Sequence, residues 1–217
     1  MFKPGSWINR KRHNRGFGIQ SPSAFFFITQ VLREKLPYYA YDELDDIACR
    51  CHGIGAGKCR EIFRIANYFS PSSAIVIESV TAACAIGSAR RNIPQCLISE
   101  KGETGKEPAA YLEKIGCRLM KGNPLQLMER EIKENGHCGI LYLGECCGRG
   151  SLLECAMHNT NKESIIIVEG IHQSKEAEEL WQHAIESPLT IVTYDMYSYG
   201  ILLFNNEKQK QNYTLKR

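Results

Sequence analysis

Leu189-Thr190-Ile191-Val192-Thr193-Tyr194-Asp195-Met196-Tyr197-Ser198-Tyr199-Gly200-Ile201-Leu202-Leu203-Phe204 is the stretch that decides the fold. Residues 189–195 read as one strand and residues 200–204 as another. Only Met196 to Tyr199 separate them. A parallel crossover needs a dozen residues or more, so strands this close must pair antiparallel. The chain upstream has a different texture. Short apolar runs at 74–77, 95–99, 118–121, 139–143 and 164–168 alternate with helical stretches at 81–91, 107–115, 125–134, 151–158 and 174–187. Strands alternating with helices are the pattern of a parallel sheet covered on both faces. The expectation is a seven-stranded α/β sheet, mostly parallel, closed by an antiparallel C-terminal hairpin.

Working outward, residues 1–70 read as an N-terminal basic arm and helical extension, and 71–217 as the α/β domain. A helix is expected from Ser23, as its N-cap, to Leu36, with Pro37 as its stop. A second short helical pattern runs through Ile47 and Ala48. Gly53, Gly55 and Gly57 break it, and the helical spacing resumes from Arg60 to Phe69. The Gly53-x-Gly55-x-Gly57-Lys58 run lacks the spacing and the Ser or Thr of a phosphate loop, so it reads as a flexible turn.

The chain has 217 residues, is 43% hydrophobic and 24% charged, and carries a formal net charge of +3. That composition excludes disordered and collagen-like chains. The charge is too small to argue for a nucleic-acid partner. Lys3, Arg10, Lys11, Arg12 and Arg15 make the first residues basic, and such a run reads as a solvated arm. No apolar stretch suits a secretory signal or a membrane span. The expectation is a soluble, cytoplasmic protein with reduced cysteines. Cys49, Cys51, His52 and Cys59 form one cluster, and Cys146, Cys147, Cys155 and His158 another. Neither has the paired Cys-x2-Cys spacing of a structural zinc site.

Several segments resemble a bacterial group of class I S-adenosylmethionine-dependent methyltransferases. Gly16-Phe17-Gly18-Ile19-Gln20-Ser21-Pro22 resembles that group's N-terminal signature, with Gln20 and Ser23 in place of His and Phe. Ile54-Gly55-Ala56-Gly57 resembles its glycine loop. Ile171-His172-Gln173-Ser174, with Trp181 beyond, resembles its Ile-His-Trp-Ser segment. Tyr194-Asp195-Met196-Tyr197 through Gly200-Ile201 to Phe204, then Lys208-Gln209-Lys210-Gln211, resembles its C-terminal hairpin and tail. The resemblance implies a Rossmann-like sheet, with the cofactor S-adenosyl-L-methionine over the carboxyl ends of the strands.

It also implies site residues. The first strand should end in an acid and a glycine-rich turn, because backbone must approach the ligand closely. Here the turn is Glu78-Ser79-Val80-Thr81-Ala82-Ala83, with the acid but without the glycines. The second strand should end in an acid that accepts both ribose hydroxyls. Glu100 follows Glu78 at the spacing of about twenty residues expected of a ribose-binding acid; the bland alternative is a solvated strand-end acid. Asn123 stands where the family places an acid or amide against adenine, or else it caps the helix that starts at Pro124. The family's strand-end aspartates fall on Gly144, Glu169 and Gly170, with Glu145 beside the first. The expected cofactor-binding set is Glu78, Ser79, Glu100, Asn123 and Glu145. Glu169 and His172 are the expected catalytic bases, and no metal is assigned.

Two functions follow from the resemblance. One is methyl transfer, with a small-molecule cofactor, to an unassigned acceptor, favoured by Glu78, Glu100 and Asn123. The other is a catalytically inactive methyltransferase-fold protein acting as a binding or regulatory module, favoured by the missing glycines. No membrane or nucleic-acid partner is expected, and the sequence assigns no oligomeric state.

Overall fold

The computed structural model describes residues 19–51, 53–102 and 106–215. The basic arm with Lys3, Arg10, Lys11, Arg12 and Arg15 lies outside the described residues, as do Gly16, Phe17, Gly18 and His52. The strands are β1 (Ala74–Ile77), β2 (Gln95–Ser99), β3 (Arg118–Lys121), β4 (Ile140–Leu143), β5 (Ile165–Glu169), β6 (Val192–Asp195), β7 (Tyr199–Leu203) and β8 (Gln211–Thr214). They form one sheet in the order β3-β2-β1-β4-β5-β7-β6-β8. The first five are parallel, and β7 runs antiparallel between β5 and β6. The hairpin is therefore as its short connection requires. The count is a correction: the sheet has eight strands rather than seven. The last, β8, pairs parallel with β6 through Val192↔Gln211 to Asp195↔Thr214. Its sequence, Gln-Asn-Tyr-Thr, offers one buried side chain, Tyr213, so no apolar run announces it.

The helices are α1 (Pro22–Phe26), α2 (Tyr41–Arg50), α3 (Ala56–Phe69), α4 (Val80–Ala89), α5 (Lys106–Lys114), α6 (Pro124–Asn135), α7 (Arg149–His158) and α8 (Lys175–Glu186). Two N-terminal expectations need correction. The cap of α1 is Ser21, whose hydroxyl accepts from the Ala24 amide, and not Ser23. The helix does not reach Leu36, because it widens into a π-helical turn at Phe27–Val31. Buried Arg64 explains the stop. Its guanidinium donates to the carbonyls of Val31 (2.8 Å) and Leu32 (2.7 Å) and to the Tyr41 hydroxyl (3.1 Å). A side chain thus satisfies carbonyls that a helix end leaves orphaned.

Central strands buried on both faces divide their side chains between two cores. Val76, Ile140, Tyr142, Ile165 and Ile167 face α1 to α5, with Phe27, Leu44, Ile62 and Phe63 packed on them. Ile75, Ile77, Leu141, Leu143, Ile166 and Val168 face α6 to α8, against Met128, Leu152 and Trp181. Each fully buried aliphatic side chain contributes about 1.5–3 kcal/mol. Gly200 is fixed by this packing, because a Cβ there would stand 2.4 Å from the Trp181 ring. Among the described residues no helix is long and apolar enough to cross a membrane.

Candidate active site

Strand order reverses between β1 and β4, so the loops leaving these two strands part and open a crevice at their carboxyl ends. Glu78 ends β1 with φ of +54°, a left-handed conformation that costs a non-glycine residue about 1–2 kcal/mol. Strain of this kind persists only where its surroundings fix it. Here the Glu78 carboxylate accepts the Glu100 amide (2.5 Å) and the Ser99 hydroxyl (3.0 Å), tying the end of β1 to the end of β2. Glu100 gives its backbone donor to this contact, and its side chain is exposed.

Ser79 is buried and extended, with φ of −141°, and its hydroxyl caps α4 by accepting the Ala82 amide at 3.4 Å. Its conformation does not call for glycine. The left-handed residue of this turn is Glu78, one position earlier. Asn123 caps α6, its side-chain oxygen accepting from the Gln126 amide at 3.1 Å. Gly144 follows β4 and donates its amide to the Ile77 carbonyl. A Cβ there would lie 2.6 Å from that carbonyl oxygen, so no side chain fits at this junction. Glu145 is exposed beside Gly170, which has φ of +67°. Cys146 is half-buried, and burial pushes its thiol up to about 11, with Arg149, Glu78 and Glu100 as its charged neighbours.

A second polar group occupies the end of β5. Glu169 pairs with Lys58 at 3.0 Å, and the two side chains are only 16% and 13% exposed. Arg149, in the first turn of α7, donates to the Glu169 carbonyl. The Tyr142 phenol is fully buried and has no hydrogen-bond partner among the described residues. Burial, then the Glu169 charge, hold that phenol well above its ordinary pKa. One turn along α3 from Lys58, Glu61 accepts the Tyr199 hydroxyl at 3.0 Å. Tyr199 is the cross-strand partner of Glu169. One face of α3 therefore reads a cross-strand pair of the sheet.

The glycine run explains how Lys58 comes to be there. Gly55 is the N-cap of α3, so Gly57 and Lys58 lie inside the helix and not in a flexible turn, a further correction. Ile54 is buried and donates its amide to the Thr81 hydroxyl at 3.2 Å. A Cβ at Gly53 would meet that same oxygen at 2.7 Å. The loop thus locks the start of α3 against the start of α4.

His172 stands in another cluster. Its Nε2 lies 2.9 Å from Asp195 Oδ2 and its Nδ1 lies 3.2 Å from Glu178 Oε1. The ring stacks on Tyr197 at 5.5 Å between centroids. Tyr197, left-handed at φ of +70°, donates its amide to the other Asp195 oxygen. Both imidazole nitrogens thus face carboxylates, and the named partners of His172 are not those of Glu169. The residues that sequence reasoning missed are Lys58, Tyr142, Arg149, Glu178 and Asp195. Among the described residues no three His, Cys, Asp or Glu side chains group as a metal site. All ten cysteines are free thiols.

Neither a family model nor a curated protein matches the chain. Solved structures do. The O-methyltransferase TomG of Streptomyces achromogenes, solved in complex with SAM, superposes with a TM-score of 0.62 at 8% identity, over 84% of this chain and 95% of that one. An O-methyltransferase of Bacillus cereus, in complex with SAH, gives 0.56 at 7% identity, over 82% and 95%. A methyltransferase of Geobacter sulfurreducens gives 0.55 at 15% identity, over 78% and 90%. At such identities the likeness is one of fold, and the chain has the Rossmann-like methyltransferase fold.

Proposed function

We propose that the chain is an S-adenosylmethionine-dependent methyltransferase acting on a small-molecule acceptor. The observation that carries this reading is the carboxyl edge of the sheet. Glu78 and Glu100 sit together beside the switch point, on a fold whose solved neighbours include proteins held with SAM or SAH. The residues fit such a cofactor. An exposed carboxylate at Glu100 has two oxygens to accept two ribose hydroxyls. Gly144 leaves the junction of β1 and β4 free of any side chain.

In this reading Glu78 holds the β2 end in register, Ser79 shapes the turn, and Glu145 borders the cleft. Asn123 keeps α6 capped and offers its remaining polar atoms to the base. Bound S-adenosylmethionine supplies an electrophilic methyl group, and the protein's task is alignment. Glu169 takes a proton from the acceptor. His172, held by Asp195 and Glu178, is the neighbouring polar wall. Among the described residues, those up to 70 form the extension over the acceptor end, and those from 71 onward the cofactor domain.

The second reading, an inactive binding module, draws on the turn after β1, which has no glycine and is covered by Ile54. Isothermal titration separates the two. Micromolar binding of S-adenosylmethionine and S-adenosylhomocysteine supports the enzyme. No heat at millimolar cofactor overturns it in favour of the module.

A further inference from the structure

We infer that Lys58 and Glu169 form a subsite for an ionisable hydroxyl, in which Glu169 takes the hydroxyl proton and Lys58 holds the resulting oxyanion. The inference gives the acceptor end of the proposed methyltransferase its chemistry and rests on that reading for its place in a reaction. Two observations carry it. The pair is formed across 111 residues at 3.0 Å, with both side chains largely but not wholly buried. Such a pair is shielded from bulk water and keeps a small exposed edge. The Tyr142 phenol is fully buried with no hydrogen-bond partner among the described residues, and the Glu169 charge helps to raise its pKa, which marks a polar site arranged for something besides packing.

The charge balance is the physical argument. A lone charge in a shielded site is costly, and a pair is tolerated because each member compensates the other. When a hydroxyl enters, its O–H bond breaks and the proton forms a new O–H bond on a Glu169 oxygen. The negative charge moves from Glu169 to the acceptor oxygen, and Lys58 exchanges one anionic partner for another. No unpaired charge appears at any point, and the positive charge at the oxyanion comes from the chain itself. Arg149 on the Glu169 carbonyl and Tyr199 across the strand pair hold the base in place. Glu61, bonded to Tyr199, is the remaining acid on this face of α3.

The probe is 4-nitrophenol, whose phenolate absorbs visible light. Titrated into the wild-type protein below the probe's own pKa, it should bind as phenolate, with an affinity independent of pH, because the proton stays in the site. Above that pKa the affinity should fall, since the complex must then take up a proton. In Glu169→Gln the profile should reverse, rising with pH and then levelling, because only ready-made phenolate can pair with Lys58. Lys58→Met should weaken phenolate binding at least about tenfold, and Lys58→Arg should restore most of it. EDTA should change nothing.

Binding of the neutral phenol, a profile unaltered in Glu169→Gln, unaltered affinity in Lys58→Met, or a signal lost with EDTA would each overturn the inference. Should Lys58→Met not fold, the Glu169→Gln profile decides alone. S-adenosylhomocysteine titrated into the same proteins tests the donor separately. A wild type that ionises the probe without binding S-adenosylhomocysteine keeps the subsite and removes the methyl-transfer reading.

Discussion

The two ends of the proposed cleft are built in opposite ways. The donor end is assembled from chain that is close in sequence. Glu78 binds the Ser99 hydroxyl and the Glu100 amide across adjacent strands, and Ser79 and Asn123 each cap the helix that follows them. The carboxylate proposed to hold the ribose, Glu100, is exposed. The acceptor end is assembled from distant chain. Lys58 reaches Glu169 from the first turn of α3, and Tyr142 joins from β4. Its charges are shielded. A shielded pair couples folding to function, whereas an exposed carboxylate can be changed at little cost to the fold. Variants at the two ends should therefore differ in which property they damage.

The largest effect is expected at the acceptor end. Glu169→Ala leaves the Lys58 ammonium in a shielded site without its partner. Removing one member of a buried pair costs about 3–5 kcal/mol, and partial exposure places this one near the lower figure. Urea unfolding at neutral pH should show a loss of about 3 kcal/mol, while the double variant Lys58→Met/Glu169→Leu should recover most of it. A single variant as stable as the wild type would show that the pair is not shielded in solution, and the contrast between the ends would collapse.

The junction between the two ends comes next. Gly144→Ala puts a methyl group 2.6 Å from the Ile77 carbonyl oxygen, which is backbone and cannot swing aside. Overpacking of this kind costs about 1–3 kcal/mol. Thermal unfolding should report it, and an unchanged midpoint would mean that β1 and β4 part more freely than their hydrogen bond implies.

How much of this was legible follows the same division. The edges of β1 and β2 match the apolar runs residue for residue, because a strand buried on both faces has no alternation to blur, and the bounds of β3 match as well although that edge strand is mostly exposed. The hairpin followed from a length argument alone. Strand β8 was not legible, since its pairing with β6 is made by backbone and only Tyr213 gains burial. At the donor end, the two acids stood out by their spacing, and the capping role of Asn123 was one of two readings that local sequence allowed. Lys58 was hidden. Its glycines read as a flexible turn because nothing in local spacing shows that Ile54 docks on Thr81, or that α3 then points a lysine at β5. Asp195 beside His172 was hidden for the same reason, since contacts between distant elements leave no period in the sequence, and Glu178, six residues from His172, meets it only because the chain turns into α8 between them.

A donor-end variant should show the complementary behaviour. Glu100→Ala removes an exposed side chain, and surface changes of this kind stay within about 0.5 kcal/mol of stability. Its effect belongs in binding. Charge-assisted hydrogen bonds contribute about 1.5–3 kcal/mol each, so S-adenosylhomocysteine affinity should fall at least about tenfold by isothermal titration. The same ligand should slow labelling of half-buried Cys146, whose thiol feels the charges of Glu78 and Glu100, and leave exposed Cys147 untouched. Unaltered affinity in Glu100→Ala would move the ribose contact away from the end of β2.

The smallest effect should come from Ser79→Gly, and its value lies in its sign. The Ser79 hydroxyl caps α4, but glycine is itself an acceptable N-cap, and the exchange costs only a few tenths of a kcal/mol. The φ of −141° is open to glycine and serine alike, so no backbone strain is relieved. What changes is the removal of one Cβ from a turn that a nucleoside cofactor must approach closely. Affinity for S-adenosylhomocysteine should therefore rise, by less than the tenfold lost in Glu100→Ala, while thermal stability stays nearly constant. Should affinity fall instead, the hydroxyl of Ser79 is itself a ligand contact, and the serine is a functional replacement for the missing glycine rather than an obstacle. Either sign places the cofactor at this turn, and only an affinity untouched by the substitution would remove it from the end of β1.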